Sequence, residues 1–190
     1  MKKFTSDVHF RHRNIVNYTD RKEVTNAESH DAWAVDLWNR EVSPSDDVYH
    51  LGDFCFSSRY EDVKSFVSSL SGHKHFILGN HDKEDNFRKL HKEGLIESYG
   101  HYKEIKIGDT KTVLFHFPIT AWNRQHYGSW CLHGHCHSNL QGQGKILDVG
   151  LDMSYLLYGE HRFFTEEDIK KFMDSREVFI ADGHTNRTGD

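Results

Sequence analysis

The sequence predicts a layered α/β (α+β) sandwich, two packed mixed β-sheets flanked by helices, on three observations. Short apolar runs bounded by Gly, Asp or Asn recur along the chain, helical stripes separate them in the first half, and strand patterns dominate from Lys103 onward. The runs at 48–51, 76–78, 113–115, 130–132 and 146–149 have the length and continuity of buried strands. Residues 103–107 alternate polar and apolar, as a half-exposed strand does. Thr25-x-x-Glu28 has the form of a capping box, after which Ala27, Ala34, Leu37 and Trp38 fall at helical spacing until Ser43-Pro44. Ser58-x-x-Glu61 repeats that signal ahead of the stripe Val63, Phe66, Val67 and Leu70, which Gly72 ends. A third helix is expected over 84–93 with Phe87 and Leu90 inward, and a fourth from Thr165-x-x-Asp168 with Ile169, Phe172 and Met173 inward.

A chain of 190 residues supports a single domain, here 1–181, and the stretch 182–190 lacks any apolar anchor and is expected to be disordered. A net charge of -5 and a pI near 6.3 argue against a globally basic nucleic-acid binder. The sequence has no apolar run of membrane-spanning length and no signal-type start, so a soluble, cytoplasmic protein without membrane partners is expected; oligomeric state is left open. Cys55, Cys131 and Cys136 are odd in number and form no C-x-x-C pair, which disfavours a disulfide framework. Of sixteen histidines, His30, His91, His101 and His161 sit among polar neighbours and read as surface residues, and His73 and His75 as structural.

Chemistry concentrates in five segments: Ser6-Asp7-Val8-His9, Gly52-Asp53, Gly79-Asn80-His81-Asp82, His116, and Gly134-His135-Cys136-His137. Asp, His and Asn are donors for first-row divalent metals, and no single segment supplies enough of them to close a site. Four of the five follow an apolar run directly, which places them at strand ends, where α/β sheets form ligand crevices. In extended geometry Asp7 and His9 project to one side and Val8 to the other; His135 and His137 repeat the device around Cys136. No G-x-S-x-G or Cys-His pattern offers a protein nucleophile.

In this order the segments resemble the D-x-H, G-D, G-N-H-[DE], His and G-H-x-H pattern of the calcineurin-like metallophosphoesterase superfamily. The resemblance runs from residue 7 to 137 and on through Asp148-Val149-Gly150-Leu151-Asp152, which is similar to a closing glycine-containing strand. The start Asp7-Val8-His9-Phe10, with His12 and Asn14-Ile15-Val16, further resembles a small prokaryotic or phage-type branch. The implied fold is the calcineurin-like metallophosphatase fold. The resemblance implies two divalent metal ions, the first on Asp7, His9, Asp53 and His137 and the second on Asp53, Asn80, His116 and His135. Asp53 would bridge, as a two-oxygen carboxylate can for ions ~3.5–4 Å apart. Mixed N and O ligands suit Mn, Fe, Ni, Co and Zn alike, with manganese the first choice.

The implied activity is a phosphoesterase acting on a phosphodiester or small phosphorylated metabolite, with a metal-bridging hydroxide as nucleophile. His81 would be the catalytic proton donor, and Asp82 would orient it. A nuclease using the same metals, and a non-catalytic metal-binding scaffold, are the competing readings. Arg11, Arg13 and Arg124 are candidate substrate contacts, against the plain alternative of a solvated charged face, with His12 and His126 similarly placed. Trp122 or Tyr127 would stack on a base or cover the core. His133 reads as a core or supporting residue hydrogen-bonded to a carboxylate.

Overall fold

The computed structural model describes residues 1–21, 24–140 and 142–181; the tail at 182–190 lies outside them. One sheet has five strands in the order β4-β3-β2-β1-β9, with β1 (Lys2–Thr5), β2 (Asp47–His50), β3 (His73–Ile77) and β4 (Ser98–Gly100) parallel, and β9 (Phe164–Thr165) antiparallel to β1. The other has four in the order β5-β6-β7-β8. There β5 (Tyr102–Ile107) and β6 (Thr110–Phe115) form an antiparallel hairpin, and β7 (Trp130–His133) and β8 (Ile146–Asp148) continue in parallel. Both sheets are therefore mixed, as the alternation followed by a strand-rich half implied. Inner-face residues of both meet in one apolar cluster: Phe4, Tyr49 and Ile77 from the first sheet pack with Leu114, Leu132 and Leu147 from the second. Removing these side chains from water is the main force holding sheet on sheet.

Among the described residues five longer α-helices and one short one flank the sheets: α1 (Ile15–Tyr18), α2 (Ala27–Glu41), α3 (Tyr60–Ser69), α4 (Glu84–Lys92), α5 (Leu151–Tyr158) and α6 (Glu166–Asp174). The stripes read from the sequence face inward. Ala34, Leu37 and Trp38 of α2 and Val63 and Val67 of α3 join Phe87 and Leu90 of α4 in a second cluster on the outer face of the five-stranded sheet. The caps differ in part. On α2 the box forms one residue later, between Asn26 and Ser29, because the asparagine carboxamide reaches the Ser29 N–H at 2.8 Å. On α3 Ser58 caps nothing; Arg59 is the first flanking residue, and Ser57 hydrogen-bonds Asp62 instead. The Thr165–Asp168 box on α6 forms as expected. The stretch 148–152, expected as a strand, is one only to Asp148; Gly150 makes a single bridge to Ser6, and α5 begins at Leu151. No helix among the described residues is long and apolar enough to cross a membrane.

Candidate metal centre

All five segments lie just past strand ends, on one edge of the sandwich. The loops after β1 and β2 run side by side: the N–H groups of Asp7, His9 and Phe10 donate to the carbonyls of Gly52, Asp53 and Phe54 at 2.9–3.0 Å. The expected extended geometry does not hold here. Asp7, His9, Asp53, His135 and His137 have φ between 46° and 71°, in the left-handed region that side chains other than glycine seldom adopt. Each such residue costs roughly 1–3 kcal/mol, and strain of this kind gathers at functional sites. The outcome still matches the alternation: Val8 and Phe10 enter the core, while Asp7 and His9 turn the other way. Two glycines make the approach of these loops possible. A Cβ at Gly52, where φ is +99°, would overlap the His116 ring, and one at Gly134 would overlap Ser6 and the Asp7 carboxylate.

Two clusters of donors result. Asp7, His9 and His137 offer ligand atoms within 4.8 Å of one another, and so do Asp53, His116 and His135. Asn80 joins the second, its side-chain oxygen 3.2 Å from His116 Nε2. Asp53 stands between the two, with Oδ2 3.5 Å from His116 Nε2 and 3.9 Å from His9 Nε2. The ring tautomers suit ligation. His116 donates from Nδ1 to the Leu51 carbonyl at 2.7 Å and His137 from Nδ1 to Asp152 Oδ2 at 2.6 Å, so each turns Nε2 inward. One carboxylate and two imidazoles per cluster, with Asn80 beside one of them, are a fitting donor set for a pair of divalent ions.

A family model for calcineurin-like phosphoesterases matches residues 3–188. The chain belongs to that family. An uncharacterized protein of Methanocaldococcus jannaschii is 33% identical over 70% of this chain and 68% of its own length. The gene 66 protein of Mycobacterium phage L5 is 30% identical over 78% of this chain and 85% of its own. The structure of a protein of unknown function from Aquifex aeolicus superposes with a TM-score of 0.67 at 22% identity, covering 90% of this chain and 98% of that one, a likeness of fold.

The electrostatics of this family member fit cations at the clusters. Burial and the neighbouring Asp148 push Asp7 up to about 7, a carboxylate short of positive charge. Burial also opposes ionisation of Asp53, but the hydrogen bond and charge of His116, the His81 N–H and His9 outweigh it and hold that carboxyl well below its usual range. His116 rises to about 9, because its partner Asp53 and the nearby Asp7 overcome the cost of burying a charged ring. Asp7, His9, Asp53 and His116 are buried, whereas Asn80 and His135 face solvent, so the pair of clusters is open on one side.

His81 sits at that opening. Its N–H donates to Asp53 Oδ1 at 3.0 Å, its Nε2 is 3.9 Å from Asp53 Oδ2, and its ring lies against Phe56. Asp82 does not orient the His81 ring as expected. Its carboxylate accepts from the backbone N–H groups of Gly79, Asp53 and Phe54 at 2.9–3.0 Å, which clamps the two loops together. His133 is buried, but its Nδ1 hydrogen-bonds the Gly134 carbonyl rather than a carboxylate. Arg124 packs over the Tyr127 ring at 4.9 Å, Trp122 is buried with its indole N–H on Ser129, and none of these contacts ties them to the clusters. Arg11 and Arg13 line a neighbouring cleft.

Two supports carried no legible signal. Arg21 is buried and donates to the carbonyls of Val8 and Asp7 at 2.8 and 2.6 Å, while its Nη2 is 3.4 Å from Asp152. His30 is buried against it rather than on the surface, with Nε2 2.7 Å from Arg21 Nη1. A polar stretch of sequence looks the same whether it is solvated or folded under a site.

Proposed function

We propose that this chain is a dinuclear metal-dependent phosphoesterase that hydrolyses a phosphodiester or a small phosphorylated metabolite. The observation that carries the reading is Asp53: one buried carboxylate within 4 Å of a histidine from each cluster is the arrangement a bridging ligand needs. Asp7, His9 and His137 complete the first site, and Asn80, His116 and His135 the second. When bound, two divalent ions would supply an activated water and positive charge to draw a phosphate anion, with manganese the first ion to test.

The residues of the chain do the rest. The buried carboxylates and imidazoles hold the site rigid, and the open face at Asn80 and His135 admits substrate. His81, anchored through its backbone to Asp53 and with its ring against Phe56 at the open face, delivers a proton to the leaving alkoxide. Assays of the manganese-loaded protein on bis(p-nitrophenyl) phosphate and p-nitrophenyl phosphate test the reading. His81→Ala is expected to lose about 10²–10⁴-fold in kcat while retaining two metal ions per chain by elemental analysis. Full turnover by that variant would remove His81 from the chemistry, and a metal-loaded wild type inert toward every phosphoester would leave the scaffold reading.

A further inference from the structure

A cleft of about 680 Å³ opens beside the site, lined by Arg11, Arg13, Arg59, Asn26, Phe56 and Asp62, among others. Phe56 is the wall it shares with the metal centre: its ring is 4.7 Å from that of His81 and 4.4 Å from that of His12. Three guanidinium groups around one cavity are notable in a chain of net charge -5. They come from separate segments, two directly after His9 and one at the start of α3.

Their surroundings differ. Arg11 is committed locally, its Nε 3.7 Å from Asp31 and its guanidinium over the Phe66 ring. Asp62 is engaged by the Ser57 hydroxyl at 2.6 Å. Among the described residues no carboxylate lies within 4 Å of Arg13 or Arg59, and both are exposed. Glu28 is the other acidic group of the lining, so the cationic groups outnumber the anionic ones. Residues at the N-termini of α2 (Asn26, Ala27) and α3 (Arg59, Asp62) also line the cleft, and α3 starts without a side-chain cap.

We propose that this cleft binds a second phosphate of the substrate. The proposal rests on the phosphoesterase reading and deepens it: the substrate class is a phosphoester that carries another phosphate, as a nucleotide strand or a bisphosphorylated metabolite does. Because the cleft lies beyond His81, the proton donor, the second phosphate belongs to the leaving-group portion. Arg13 and Arg59 hold it with charge-assisted hydrogen bonds.

Two kinetic comparisons on the manganese-loaded protein distinguish the sources. One sets thymidine dinucleotides with a terminal phosphate, at either end, against the dinucleotide without it; the other sets fructose 1,6-bisphosphate against fructose 6-phosphate. In one of these pairs the added phosphate is expected to raise kcat/KM at least about tenfold, and Arg59→Ala to cut that ratio about tenfold, mainly through KM. Calorimetry with inorganic pyrophosphate on metal-stripped, dialysed protein provides a readout independent of turnover: binding is expected in the wild type and not in the Arg13→Ala/Arg59→Ala double variant. An active enzyme with no preference in either pair, or a ratio unchanged in Arg59→Ala, overturns the proposal. If none of these substrates is turned over, pyrophosphate binding alone decides the cleft: loss in the double variant supports it, and absence in the wild type overturns it; the phosphoesterase reading itself fails only if the p-nitrophenyl esters are left intact as well.

Discussion

The two donor clusters are built from similar ligands but braced in different ways. Behind Asp7, His9 and His137 stands a chain of buried charged side chains: His137 on Asp152, Asp152 on Arg21, and Arg21 on the carbonyls of Asp7 and Val8. Behind Asp53, His116 and His135 stand mainly backbone groups: the Leu51 carbonyl under His116, the His81 N–H on Asp53, and the loop clamp made by Asp82. The first cluster can therefore be loosened by changing one side chain while the loops keep their path. The second is inseparable from loop conformation, so its supports are also supports of the fold.

Asp53 belongs to both clusters, and its removal should have the largest effect. Asp53→Ala is expected to take bound metal from two ions per chain to nearly none and to abolish turnover, read by elemental analysis and assay; one retained ion would show that the clusters are independent. Next comes Asp82→Ala, which strips three backbone N–H groups of their acceptor. Chemical denaturation of the metal-free protein should show a loss of about 2–4 kcal/mol, with Asp82→Asn falling less because its carbonyl oxygen still accepts. Asp152→Asn, whose carboxamide oxygen still faces the buried Arg21, should leave stability closer to wild type and weaken one of two metal-binding steps about 10–100-fold. Equal weakening of both steps in calorimetry would erase the contrast between the clusters.

The smallest step, at most about tenfold per pH unit, is in pH dependence. In the metal-free protein His116 keeps its proton up to about 9, because Asp53 and Asp7 outweigh burial. A metal ion must displace that proton, so affinity at the second cluster should rise up to about tenfold per pH unit between 7 and 9 and level off above. Calorimetry in buffers of different ionisation enthalpy should detect the released proton at pH 7.5. Affinity that does not change over this range would mean that the ring is already neutral.

Much of this was legible in the chain. The apolar runs became strands, and the polar residues at their ends became the two clusters, because a buried strand must surface where its apolar run stops. The capping box at Thr165 could be read directly, since Thr165 and Asp168 are close in sequence and satisfy each other. Asn26 and Ser29 are equally local, yet they compete with Thr25 and Glu28 for the same start, and a one-residue choice depends on how α2 packs. Arg21, His30 and Asp152 were not legible, since a buried polar network is assembled from residues with no mutual spacing. Nor was the clamp made by Asp82, whose partners Asp53 and Phe54 lie 29 and 28 residues away.

By itself the sequence determined which donors exist and in what order strand ends present them, because residue identity and local apolar pattern are properties of short stretches. Tertiary structure alone decided how they divide into Asp7–His9–His137 and Asp53–His116–His135, with Asp53 between. It also decided the left-handed backbone that aims five of these residues and the place of three arginines around one cleft. Such contacts join segments up to 130 residues apart, and only the packing of one sheet on the other, driven by apolar burial, brings their loops to a common edge.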